Sequence, residues 1–166
     1  MPGLLNDPAQ APPEAGRNVT PEQTEASDIY LANGLKTIHS KTMSERIGKM
    51  VSKSTDPVVA IADITVSIVE RLESGGAGKT AQMPAELLAQ VANILMGEII
   101  SVAEAAGVEP LSEEDRYRAF STAVGDYIAK QVNTGKITPE DLQARSAEAG
   151  RTQIGQQISG MISGGM

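Results

Sequence analysis

The stretch Asp56-Pro-Val-Val-Ala-Ile-Ala-Asp-Ile-Thr-Val-Ser-Ile-Val-Glu-Arg-Leu-Glu73 decides the fold class, because it reads in two ways. Ile64, Val66 and Ile68 alternate with Thr65 and Ser67, which is the period of a strand. Ile61, Ile64, Ile68 and Leu72 also form a helical stripe, with Asp63, Ser67 and Glu70 opposite. The length of the run and its ending, Val-Glu-Arg-Leu-Glu, favour helix. Asp56-Pro57 opens it, with proline in the first turn, where its missing N–H costs nothing.

The segments on either side follow the same helical grammar. Thr20-Pro21-Glu22-Gln23 is a helix start in which threonine caps and Gln23 completes a capping box. Leu31, Leu35 and Ile38 share one face, and Met43, Ile47 and Met50 resume it. Gly34 and Gly48 weaken this region, and a break is expected near His39 or Ser40. Pro84 starts the strongest helix, where Leu88, Val91, Leu95, Ile99 and Val102 line one side and Gln90, Asn93, Ser101 and Glu104 the other. Gly107 ends it. Ser112 and Asp115 stand at capping-box spacing, and Glu113 and Glu114 suit the positive end of the helix macrodipole. Tyr117, Phe120, Val124, Tyr127 and Ile128 then make an amphipathic face that Gly135 stops. Thr138-Pro139-Glu140-Asp141 opens a short polar helix running to about Ala149.

The expected fold is therefore all-α, with amphipathic helices in an extended bundle or hairpin arrangement. Residues 1–20 read as a flexible arm, 21–149 as a helical domain, and 150–166 as a Gly-rich amphipathic tail. Pro8-Ala-Gln-Ala-Pro-Pro-Glu-Ala-Gly16 suits no regular structure. In the tail, Ile154, Ile158, Met161 and Ile162 keep helical spacing. Gly160 and Gly164 form a small-xxx-small pair that permits close helix contact. Such a tail can dock on a neighbour or lie in a bilayer interface; it can equally carry its isoleucines incidentally.

Composition narrows the function classes. Of 166 residues, 40% are hydrophobic but only 2% aromatic, so an isolated core is thin and packing between subunits is expected. A net charge of −7 and a pI near 4.7 argue against nucleic-acid binding by the surface as a whole. With no cysteine, disulfides and thiolate metal sites are excluded. Residues 1–28 hold five prolines and no apolar core of a signal peptide, and no apolar run approaches the ~18 residues of a membrane span.

Chemical motifs are sparse. Gly75-Gly76-Ala77-Gly78-Lys79-Thr80 matches the end of a phosphate-binding loop, whose amides, lysine and hydroxyl hold phosphates and magnesium. Glu73 stands where that pattern needs its first glycine. The preceding residues read as helix rather than strand, and Pro84 follows too soon for a helix opening at Lys79. Nucleotide binding on Gly75–Thr80 is thus a remote alternative. His39 is the sole histidine, a poor basis for a metal site or a catalytic triad. No catalytic, cofactor-binding or metal-ligating residue is assigned, and no enzyme activity or cofactor is expected. One local feature stands against the acidic average: Lys36, Lys41, Arg46, Lys49 and Lys53, with Glu45 the only acid among them. That basic face suits DNA, phospholipid headgroups or an acidic subunit, or is simply solvated.

One succession of features resembles a known family. Asn18-Val19-Thr20-Pro21-Glu22-Gln23 leads, followed by Asn33-Gly34, Asp56-Pro57-Val58, Val69-Glu70-Arg71-Leu72-Glu73 and Ala103-Glu104-Ala105-Ala106-Gly107. Glu113-Glu114-Asp115 then precedes a tyrosine-bearing helix. The order resembles small helical virion structural proteins of tailed bacteriophages, found as minor or internal components. It covers roughly residues 18–130, and its motifs are short. The resemblance implies a capsid-internal, portal-associated or ejected protein, located in the virion and, if ejected, in the host cell envelope. It carries over no functional site. The partners expected are other copies of the chain, other virion proteins, DNA passing through a channel, and the host membrane through the tail. The helical oligomer would make its contacts through Leu88, Val91, Leu95, Ile99 and Val102 and through Tyr117, Phe120, Val124 and Tyr127. A static head or neck subunit is the alternative, with 58–69 as the place for a docking strand.

Overall fold

Every helix start but one carries a side-chain cap. Thr20 accepts from the Gln23 N–H while Gln23 Oε1 accepts from the Thr20 N–H, at 3.2 and 3.0 Å. Asp56 Oδ1 accepts from Val58 and Val59, and Ser112 accepts from Asp115. The Thr138 hydroxyl accepts from Asp141. Each such bond satisfies an amide that the helix itself leaves open. In the computed structural model, which describes residues 19–75 and 83–149, the last five by backbone alone, the helices are α1 (Pro21–Ile38), α2 (Lys41–Lys53), α3 (Pro57–Ser74), α4 (Ala85–Ala105), α5 (Glu113–Asn133) and α6 (Pro139–Ala149). The protein is all-α, with no strand among the described residues. Pro84 precedes α4 without a side-chain cap. Two helices end alike. Gly107 and Gly135 take positive φ, and the Val108→Ala103 and Lys136→Gln131 amide bonds close the final turns. The arm up to residue 18, residues 76–82 and the tail from 150 lie outside the described residues.

The ambiguous run is α3, and its place explains the ambiguity. It packs against α1, α2, α4 and α5. Val58, Ile61, Ala62, Ile64, Thr65, Val66, Ile68, Val69 and Leu72 are all buried. Only a strip of Val59, Asp63, Ser67 and Arg71, four residues apart, faces outward along most of its length. A helix covered on most sides shows no narrow apolar stripe, and here its β-branched residues imitate strand alternation. The buried Thr65 hydroxyl donates to the Ile61 carbonyl at 2.8 Å, which lets a polar side chain sit in the core.

The strongest partnerships are between helices that are not neighbours in sequence, α1 with α4 and α3 with α5. Asp56 meets Arg118, Glu70 meets Lys130, and Glu73 meets Tyr127, so α3 and α5 run parallel. Gly34 abuts Leu95, His39 meets Glu98, and Gly48 abuts Ala106. The α1–α2 pair therefore runs in the direction of α4.

Candidate functional site

The basic segment straddles the turn between α1 and α2. His39 closes α1, its amide donating to Leu35 at 2.9 Å, and Ser40 opens α2 by accepting from the Met43 amide. Along α2, Ile47, Gly48 and Val51 turn inward and are buried, the two large side chains completely. The opposite side is a line of exposed residues at i, i+4, i+7 and i+11: Thr42, Arg46, Lys49 and Lys53. Lys36 and Lys41 are exposed just before it. Among the described residues none of these five cations makes an ion pair. The cations of α5 behave differently. Arg116 pairs with Glu104 at 3.1 Å, Arg118 with Asp56 and Asp115 at 3.5 and 3.4 Å, and Lys130 with Glu70 at 3.2 Å.

The two faces expected to make oligomer contacts fare differently from the basic face. Val91, Leu95 and Ile99 are 1%, 0% and 0% exposed inside the chain's own core, so they are not open to a second copy. The expectation for them is corrected: α1, α2 and α3 already cover that side of α4. Leu88 and Val102 are half-buried at its margin. On α5, Phe120 and Tyr127 pack against the core, Val124 is half-buried, and Tyr117 stands 52% exposed. The buried seam of α5 is Ala119, Ala123 and Gln131. Reasoning from large apolar residues missed it; the signal was the four-residue spacing of the two alanines, which allows α5 to lie close on α3. The tail residues Ile154, Ile158, Met161 and Ile162 lie outside the described residues.

The end of α3 bears on the phosphate-loop reading. Residues 57–74 are helix, so the strand that such a loop follows is not there. Glu73 is engaged in the fold, its Oε1 accepting from the Tyr127 hydroxyl at 2.7 Å. Burial pushes the pKa of the Tyr30 hydroxyl up, and the Glu73 carboxylate adds to the shift. Gly76 to Thr80, including Lys79, lie outside the described residues. His39 Nε2 lies 2.9 Å from Glu98 Oε2 in a largely exposed pair. No group of three or more metal-ligating side chains occurs among the described residues.

An open cleft of about 400 Å³ lies between the end of α2, the start of α3 and the turn at 107–111. Asp56, Asp115 and Arg118 line it, and they are already paired with one another. Separately, α4 is long and apolar enough to cross a membrane, with a window of mean hydropathy 1.4. It passes by length and composition only, since Gln90, Asn93, Glu98 and Ser101 interrupt its apolar run, and the core helix of a bundle meets the same criterion. Comparison with protein-family models, with curated proteins and with solved structures finds no match to this chain.

Proposed function

We propose that this chain is a non-catalytic structural component of a tailed-bacteriophage virion, an internal protein released with the genome that assembles with copies of itself beside the DNA path. The observation that carries this reading is the division of the cations. Those of α5 tie helices together, whereas those of α1 and α2 face outward with no ion-pair partner among the described residues, in an otherwise acidic chain. Cations that serve no internal contact are available to an anionic neighbour. The resemblance of residues 18–130 to small phage virion proteins supplies the setting.

Self-contact would use the apolar surface that the fold leaves open: Tyr117 at the start of α5, Val59 at the parallel start of α3, and Ile94 on α4, each at least 40% exposed. The membrane step of such a protein would draw on α4. Insertion would require it to leave the core, since Val91, Leu95 and Ile99 are packed there. The static-connector alternative loses its docking strand, because residues 58–69 are helical.

Dissection of particles tests the reading. Antibody or mass-spectrometric detection should find the chain in full particles and lose it from particles that have released their DNA. Retention in emptied particles would contradict an ejected protein, and absence from full ones would contradict a virion role.

A further inference from the structure

We infer that the outer face of α2 is a sequence-independent contact for the phosphate backbone of duplex DNA, made by Arg46, Lys49 and Lys53 with the Thr42 hydroxyl in line. This deepens the proposed function, on which it rests for its setting, by naming the ligand of the same face.

The four side chains fall on one line down the helix, spanning about 16 Å at the rise of an α-helix. All four are exposed. No acid stands on that line; Glu45 flanks it on one side and Met50 on the other. The inner face is fixed against the core by Ile47, Gly48 and Val51, so the cations are presented on a rigid rod rather than a loop. A duplex carries one negative charge per about 1.7 Å of axis, so a line of this length meets several phosphates at once.

Three competing ligands fit less well. A helix that lies in a lipid surface buries an apolar face there. The apolar face of α2 is already inside the protein, and Met50 alone is an exposed large apolar residue on this helix. A protein partner would bring an apolar and aromatic centre, with lysine excluded from it. The Thr42–Lys53 line has neither, and exposed ion pairs contribute little by themselves. Single-stranded nucleic acid is held by stacking on aromatic side chains. Neither α1 nor α2 exposes one, since Tyr30 is 5% exposed. The remaining polyanion is the double helix, read through its charge. The net charge of −7 opposes long-range attraction and keeps the contact local to this face.

The test is binding of the full chain to a fluorescent duplex of random sequence, followed by anisotropy as salt is varied. Three phosphate contacts predict a slope of log K against log salt of about −2.7, which is about a 40-fold loss between 50 and 200 mM. Each of Arg46→Gln, Lys49→Gln and Lys53→Gln should lower that slope by about 0.9, since glutamine keeps the helix while removing the charge. Lys136→Gln, beyond the end of α5, should leave it unchanged. Circular dichroism confirms that each variant is folded. Absence of binding at low salt, or a slope that the three substitutions leave intact, overturns the inference. So does equal charge-dependent binding to phosphatidylserine vesicles, which would make the face a general anion patch. Detection of the chain in full and emptied particles separates this from failure of the virion reading, because that readout does not involve binding to the duplex.

Discussion

Gly48 of α2 faces the Ala106 methyl at the end of α4 so closely that a Cβ built on Gly48 would lie 2.6 Å from it. The neighbouring atom is bonded directly to backbone, so no flexible side chain can yield, and the helices themselves would have to part. Gly48→Ala should therefore destabilise the protein. Overpacking of this kind costs typically 1–3 kcal/mol, which outweighs the gain of up to about 1 kcal/mol from helix propensity. Gly125 in α5 is exposed and would meet nothing within 4 Å, so Gly125→Ala should stabilise by about 0.5–1 kcal/mol. Urea midpoints with unchanged slopes check both signs.

Leu95 and Tyr117 were both expected on faces open to another subunit, yet they are 0% and 52% exposed. Leu95→Ala should cost about 2–5 kcal/mol, since a buried leucine leaves a cavity. Tyr117→Ser should stay within about 0.5 kcal/mol, as surface changes do, while reducing self-association. Thermal melts and sedimentation of the two variants distinguish the roles.

Asp56 joins two structural tasks, capping α3 through Val58 and Val59 and meeting Arg118 of α5. Asp56→Ala should cost about 1–2 kcal/mol, chiefly through the lost cap, because the ion pair is exposed. Asp56→Asn keeps the cap and should recover most of the loss in the same denaturation experiment.

Tyr30 gives stability a defined alkaline dependence. Burial and Glu73 raise the pKa of its hydroxyl in the folded chain, whereas the unfolded chain titrates near 10. Its contribution is fully present below the unfolded pKa and is lost as pH rises through the folded pKa, because only the unfolded form releases the proton readily. Tyr30→Phe should flatten the decline above about pH 10. A decline of unchanged steepness in that variant would place its cause elsewhere.

The helix boundaries were legible because they are local chemistry. Thr20 with Gln23, Asp56 with Pro57, and Ser112 with Asp115 announce their caps in three or four residues. The break at His39–Ser40 was legible for the same reason. Which apolar face meets what is a tertiary matter. Val91, Leu95 and Ile99 read the same whether they face a core or a partner, and only the packing of α1 to α3 decides. The alanine seam of α5 was hidden because small side chains contribute little to a hydrophobic pattern. The basic line on α2 could be read from spacing alone. That its cations have no ion-pair partner among the described residues, unlike those of α5, could not, since Glu70, Glu104 and Asp56 come from distant parts of the chain.

Molar mass by light scattering on the full chain, with and without liposomes, addresses self-assembly most directly. A defined multiple of the 17.4 kDa chain, reduced by Tyr117→Ser, is the expected result. A monomer at every concentration, indifferent to lipid and to the substitution, would contradict it.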